Sequence, residues 1–397
     1  MTKNLKTYIF QTGHGKGLAR AEIQSILGED SVLDEVYDGI VLKTEITAPK
    51  ELLNRMGGTV RITEVIQEGP VTMPINFASW VETAIKAEVK DKSAKFRFGL
   101  SMHPKSEKIL TKTLTNSKKN LKSAIGNSRF VNKDFQNLSS VQAWHENLLA
   151  ENALELHIFK GESKWYLTKT LAIQDFEWYS HRDYDRPARS ARIGMFPPKL
   201  AQILINLTQP DKKNTIYDPF CGLGTTLQEA ILMGLSAQGS DIESHLIEST
   251  RENLEWLKKE SKLDFEMPKL FAHDATTLTK NDLPPNNFAI VTETWLGPAL
   301  TKPPSPLELP KIQREVESLY EAFFANLKKI VKEPTTVVFT APYHRDKNNR
   351  HFLPNLPIIL KKHVKIIPLS DHSRPSLFFE RKNQFVSREI WKIVCEP

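Results

Sequence analysis

Cysteine is nearly absent. Two occur in 397 residues, Cys221 and Cys395, far apart along the chain. This excludes a disulfide framework and a cysteine-rich metal site, and it fits a reducing compartment, so a cytoplasmic location is expected. Long apolar runs are also missing. No stretch reaches the roughly 18 residues that a membrane span requires, and Met1 to Leu5 lacks the apolar segment of a secretory leader. The HExxH, CxxC and EF-hand spacings do not occur, so no metal site is expected. Internal repeats and low-complexity tracts are absent as well.

What remains is ordinary globular composition, 40% apolar and 25% charged, in a chain long enough for two or three domains. The net charge of +7 is unevenly placed. Between Lys86 and Lys133 there are 13 lysines and arginines against three acids, which leaves the remainder of the chain slightly acidic. A local basic excess of this size suits a polyanion, because each phosphate contact releases counterions. A solvated lysine-rich face explains the count equally well on charge alone.

The apolar pattern divides the chain. Residues 6–12, 39–44 and 61–67 read as strands, with helices at 18–27 and near 50–56 between them. That order predicts a small α+β unit over 1–74. A second unit, 75–172, has a helix at 77–89, strands at 95–101 and 128–131, a basic helix at 115–125, and strands at 153–159 and 164–170. The turn-rich segment 173–192 reads as a linker. From 193 to 397 strands and helices alternate, which predicts a mainly parallel, doubly wound sheet, closed by an antiparallel hairpin at 377–380 and 386–393.

The richest stretch for chemistry is Asp218-Pro219-Phe220-Cys221-Gly222-Leu223-Gly224-Thr225-Thr226. It joins a short strand to a helix through a glycine turn that lets backbone approach a ligand. Seventeen residues beyond Gly224, Asp241 ends a second short strand, the place where a Rossmann-like sheet holds a ribose. A helix cap before Ser244 is the structural alternative for Asp241. The third glycine of a dinucleotide fingerprint is missing, which argues against NAD and FAD. The lysine of a P-loop is missing too, which argues against a triphosphate. A small adenosine ligand without a pyrophosphate, S-adenosylmethionine, remains.

With these residues the chain resembles class I methyltransferases, and within them the subgroup that methylates exocyclic amines of nucleobases. The resemblance widens through Arg186-Pro187-Ala188-Arg189-Ser190, Gly194-Met195-Phe196-Pro197-Pro198-Lys199-Leu200-Ala201 and Gln384-Phe385-Val386-Ser387-Arg388-Glu389-Ile390. In the amino half it includes Leu53-Asn54-Arg55-Met56-Gly57-Gly58-Thr59 and Leu138-Ser139-Ser140-Val141-Gln142. Together these are similar to THUMP-containing tRNA guanosine N2-methyltransferases of the guanosine-10 type. The resemblance implies a ferredoxin-like domain, a THUMP domain that grips tRNA, and a Rossmann-like methyltransferase domain. It implies that Asp218, Cys221, Gly222, Gly224 and Thr225 cradle the methionyl end of S-adenosylmethionine. Asp241, with Ile242 beside it, then takes the ribose, while Asp274 and Ala275 flank the adenine. The basic segment falls in the THUMP-like region, so tRNA is the expected partner. Some relatives of this architecture also need a small activating subunit.

The departure lies after the fourth strand. The family carries Asp-Pro-Pro-Tyr, or Asn first, where an oxygen accepts from the base amine and the ring stacks on the flipped base. This chain has Thr292-Glu293-Thr294-Trp295. Glu293 in the acid's place leaves Leu296 for the aromatic; Trp295 in the aromatic's place leaves Thr292 for the acid. All three are catalytic candidates. A DNA amino-methyltransferase and an RNA-binding scaffold with impaired catalysis are the alternatives.

Overall fold

The computed structural model describes residues 5–13, 15–90, 94–124, 128–132, 136–189, 196–211, 213–300, 302–345, 349–370, 374–381 and 384–397. It divides into two compact units, Met1–Phe176 and Glu177–Pro397.

The first unit runs β1 (Lys6–Thr12), α1 (Lys16–Leu27), β2 (Val32–Val36), β3 (Gly39–Thr44), α2 (Pro49–Asn54), β4 (Thr59–Pro70), α3 (Phe77–Glu88), β5 (Phe96–His103), α4 (Glu107–Ala124), β6 (Ser128–Phe130), α5 (Ser140–His145), β7 (Ala153–Lys160) and β8 (Lys164–Ile173). Its strands form one sheet in the order β2-β3-β1-β4-β8-β7-β5-β6. The two separate units expected over 1–74 and 75–172 are therefore joined. The seam is β4, twelve residues long, which pairs antiparallel with β8 from Arg61↔Ile173 to Pro70↔Lys164. Each half keeps its own apolar cluster. Tyr8, Phe10, Ile23, Ile40 and Ile62 fill one; Phe77, Val81, Phe96, Phe98, Leu110 and Leu156 fill the other. Helix α4 starts eight residues before the expected 115, because Leu110, Thr113, Leu114 and Ser117 already form a buried stripe.

The second unit runs α6 (Phe176–Tyr184), α7 (Pro198–Leu207), β9 (Thr215–Asp218), α8 (Thr225–Leu232), β10 (Ser236–Asp241), α9 (Ser244–Ser261), β11 (Lys269–Ala272), β12 (Phe288–Glu293), α10 (Leu309–Ile330), β13 (Thr335–Arg345), β14 (Arg350–His351), α11 (Leu356–His363), β15 (Lys365–Ile367), β16 (Leu377–Phe379) and β17 (Val386–Cys395). The segment 173–192, expected as a linker, thus contains a helix, α6, anchored by the buried pair Arg182–Glu229. The sheet order is β11-β10-β9-β12-β13-β17-β15, with β14 on β13 and β16 on β17. Strands β11 to β13 are parallel, and β17 is antiparallel to β13, β15 and β16. The expected hairpin is β16 with β17. Strands fully buried between helix layers read as short apolar runs, as Ile216, Tyr217, Ile290, Val291, Val337 and Phe339 do. On one face α10 packs Val316, Tyr320, Phe323 and Phe324 against them. On the other, Leu227 and Ile231 of α8 meet Ile247, Leu254 and Leu257 of α9.

The strand order reverses direction between β9 and β12. In an open parallel sheet, the crevice beyond the carboxyl ends at such a switch point is where ligands bind. No described helix is long and apolar enough to cross a membrane. Among the described residues no group of three or more His, Cys, Asp or Glu could hold a metal.

Candidate functional site

A cleft of about 1250 Å³ opens at that switch point. Strand β9 delivers Asp218, β10 delivers Asp241 and β12 delivers Glu293, each as the last residue of its strand. The turn after β9 needs glycine twice. Gly222 has φ of 53° and Gly224 has φ of 79°, both left-handed. A Cβ on Gly222 would meet nothing nearer than Phe220 O at 4.0 Å, so its face is open to an approaching ligand.

Hydrogen bonds lock the loop. Asp241 accepts from Gly222 N at 2.9 Å and from Glu243 N at 3.1 Å. The residue capping α9 is Glu243, so Asp241 braces the glycine turn as well as the helix approach. Thr250 donates to Gly222 O at 2.7 Å. Asp218 accepts from Phe220 N at 3.0 Å and from the Thr292 hydroxyl at 2.6 Å. Burial is the main influence on Asp218 and lifts its pKa to about 7, with the nearby Asp241 charge adding to the rise. Burial also raises Asp241, against the backbone N–H groups that stabilise its charge. The Cys221 thiol is pushed well up by burial, which makes it a packing group rather than a nucleophile.

Ten of the twelve predicted residues line the cleft: Asp218, Cys221, Gly222, Thr225, Asp241, Ile242, Asp274, Ala275, Glu293 and Trp295. Ile242 is 68% exposed and offers an apolar face beside Asp241. Asp274 accepts from the backbone and hydroxyl of Thr276, both at 2.8 Å, and so fixes the turn that carries Ala275. Two residues are placed elsewhere. Gly224 turns toward α9, where a Cβ would fall 2.7 Å from Thr250 Cγ2. Thr292 is fully buried and spends its hydroxyl on Asp218. In the register that puts Thr292 in the acid's place, its hydroxyl reaches the cleft only through Asp218, to which it donates.

Glu293 and Trp295 do share the cleft. Glu293 accepts from Arg388 Nε of β17, and Arg388 lines the same wall. Trp295 is 43% exposed, a free aromatic face. Between them Thr294 is buried on Tyr320 OH at 2.5 Å and Thr340 O at 2.8 Å, so it anchors the segment. Sequence reasoning assigned no site role to Arg186 or Arg388. Both lie in strings that match the family, yet nothing in their local spacing marks them as cleft residues.

The pieces suit an adenosine ligand: an open glycine loop, a carboxylate at the second strand end, an apolar side chain beside it, and a further acid at the third. Beyond this end lies an acidic acceptor with an aromatic face. Comparison with known proteins agrees. An RMKL-like methyltransferase domain model matches residues 186–352, and a DNA methylase model matches residues 76–252. The chain is 32% identical over 184 residues to a tRNA (guanine(10)-N2)-dimethyltransferase of Methanothermobacter thermautotrophicus, covering 46% of this chain and 49% of that protein. It is 31% identical over 173 residues to the protein of the same name from Pyrococcus abyssi, covering 43% and 49%. The chain thus matches about half the length of these curated relatives. Among solved structures, TrmN from Thermus thermophilus superposes with a TM-score of 0.52 at 15% identity, over 98% of this chain and all of that one. A possible methylase from Clostridium difficile 630 gives 0.52 at 14%, over 99% of each. The fold is that of the Rossmann-like methyltransferases, preceded by an α+β unit.

Proposed function

We propose that this protein is a tRNA (guanine-N2)-methyltransferase using S-adenosylmethionine. The observation that carries the reading is the convergence of Asp218, Gly222 and Asp241 with Glu293 and Trp295 in one cleft. The relatives' shared name supplies the substrate class.

When bound, S-adenosylmethionine supplies an electrophilic methyl group. In this reading Asp241 holds the ribose hydroxyls, Ile242 and Ala275 contact the adenine, and the open face of Gly222 admits the thioether end. Trp295 stacks on an extruded guanine, and Glu293 accepts a hydrogen bond from its exocyclic amine, aiming the nitrogen lone pair along the transfer line. A displacement of this kind needs positioning more than charge stabilisation, and a misplacement of about 1 Å costs on the order of 10²-fold. The Arg388 contact keeps the longer glutamate side chain in one place.

Residues 75–172, the later part of the first unit, are read as the THUMP-like tRNA grip. Helix α4 presents Lys108, Lys112 and Lys118 on its exposed side. Backbone and shape contacts of this kind hold an A-form helix without reading its sequence. The test is calorimetric S-adenosylmethionine binding, followed by incubation with unmodified tRNA and nucleoside analysis. N2-methylguanosine or its dimethyl product is expected; cofactor binding without either product overturns the assignment. The DNA methylase match favours one rival, a DNA amine substrate. Competition between tRNA and duplex DNA at fixed salt separates the two.

A further inference from the structure

Arg186 takes no part in the transfer just described, yet it is a buried cation in the cofactor wall. It is 1% exposed and lines the cleft. Its Nη1 donates to Thr225 Oγ1 at 2.6 Å, while Nε and Nη2 have no acceptor among the described residues. The nearby buried carboxylate, Glu229, is already held by Arg182 through Nε at 2.8 Å and Nη2 at 3.1 Å. Asp183 and Glu229 both act on Arg186 through their charge, yet neither accepts a hydrogen bond from its Nε or Nη2. An arginine does not shed its proton to escape burial, so its unpaired N–H edge calls for an acceptor, and an anionic oxygen is the strongest one.

A second feature points to the same spot. Helix α8 starts at Thr225, behind Gly224, which has no side chain to cap it. Its first N–H groups and dipole favour negative charge there. The other arginine of the cleft wall, Arg388, is matched by Glu293. At the opposite end of the glycine turn stands the acid Asp218. The turn thus presents a cationic end and an acidic end, the complement of an amino-acid zwitterion.

Resting on the S-adenosylmethionine reading, we propose that Arg186 and the start of α8 seat the carboxylate of the cofactor's amino-acid end. Arg186 thereby makes the site selective for ligands that carry this group. A backbone phosphate of the RNA is the competing anion, and the experiment separates the two.

The full-length protein and its Arg186→Met and Arg186→Lys variants are titrated calorimetrically with two ligands. S-adenosylhomocysteine carries the carboxylate; 5′-deoxy-5′-methylthioadenosine keeps the adenosine and thioether but lacks the amino-acid end. Arg186→Met is expected to weaken S-adenosylhomocysteine by about 10- to 100-fold, as for a lost bond to a charged group, and to leave methylthioadenosine within twofold. Arg186→Lys should fall between. Equal losses for both ligands, or no loss for either, overturn the proposal. So does an unchanged S-adenosylhomocysteine affinity with weakened tRNA binding, the outcome for a phosphate seat. If Arg186→Met does not fold, the ratio of the two affinities in Arg186→Lys decides. Wild type that binds neither ligand removes the cofactor reading itself.

Discussion

Arg388 on β17 donates through Nε to Oε1 of Glu293 at the end of β12, and both side chains are largely buried in the cleft wall. The pair joins strands separated in the sheet by β13. It gives the unusual Thr292-Glu293-Thr294-Trp295 segment a fixed acceptor despite the longer side chain. Glu293→Gln keeps the size but weakens the acceptor and unpairs Arg388. We expect single-turnover methyl transfer to tRNA to drop by about 10²-fold, with S-adenosylhomocysteine affinity unchanged. Unaltered transfer in this variant would remove Glu293 from the chemistry.

Asp218 should make cofactor choice depend on pH. Burial holds its pKa near 7, above the ordinary value of 3.8. The sign follows directly: the stability this group contributes is present below 3.8 and is lost as pH rises through about 7, where the folded state must carry a buried charge. A sulfonium ligand answers that charge and a thioether does not. The affinity ratio of S-adenosylmethionine to S-adenosylhomocysteine is therefore expected to rise between pH 6 and 8. Asp218→Asn should flatten the profile. A flat wild-type profile would count against a titrating Asp218.

Gly224 is fixed by its neighbours as well as its backbone. Its φ is 79°, and a Cβ would lie 2.7 Å from Thr250 Cγ2. Gly224→Ala should cost about 1–3 kcal/mol, from the left-handed conformation and the clash together. Urea midpoints of wild type, Gly224→Ala and Gly224→Ala/Thr250→Ser separate the two contributions, since serine removes Cγ2 and keeps the hydroxyl. Equal midpoints for the single and double variants would mean that the clash relaxes freely.

The parts legible in the sequence are those whose signal is local. Strand β3 lies at its expected bounds, 39–44, and the terminal hairpin pairs as expected, because short apolar runs mark them without tertiary help. The loop from Asp218 to Thr226 and its partner Asp241 are read from one fixed spacing. Strand β2 was missed: it carries Asp34 and Glu35 at the sheet edge, where one side meets solvent. Helix α11 and strand β15 were missed because each is short, eight and three residues, too brief for a periodic pattern to show. The union of 1–74 with 75–172 rests on β4 meeting β8 roughly a hundred residues later, and no local pattern encodes that. Arg186 and Arg388 fail for the same reason: each becomes a cleft residue only when distant segments meet.

The first unit contains its own buried ionic cluster. Arg61 Nε donates to Glu155 Oε2 at 3.2 Å, Thr170 donates to the same oxygen at 2.7 Å, and His157 stacks against His103, which reaches Asp38 at 2.9 Å. Burial works to raise Glu155, but the charges of Arg61 and His157 outweigh it and bring the pKa to about 2. Burial lowers His157, against the pull of Glu155. Both groups bind fewer protons folded than unfolded. Stability should therefore fall as pH drops below about 6.5, through His157, and fall further from 4.5 toward 2, through Glu155. Glu155→Gln strands Arg61 without a counter-charge and should cost about 3–5 kcal/mol. Urea midpoints of both proteins from pH 3 to 8 test this; a midpoint independent of pH below 6 refutes the coupling.

Helix α4 is the surface where the tRNA reading is most exposed to refutation. Lys108, Lys112 and Lys118 are exposed, and the helix packs inward through Leu110, Leu114 and Ser117. Replacing the three lysines with alanine leaves the buried stripe intact and should lower the urea midpoint only slightly, by the loss of the Lys118 contact over the Phe130 ring. If they contact phosphates, each removes about one released counterion from the equilibrium. The slope of log affinity against log salt should then shrink by about one per lysine. The loss should be similar for different tRNA species, because phosphate contacts carry no base information. S-adenosylhomocysteine affinity provides the control, since the cleft belongs to the second unit. An unchanged salt slope would return these lysines to the simpler reading of a solvated face and move the search for the RNA grip to other cations of the unit.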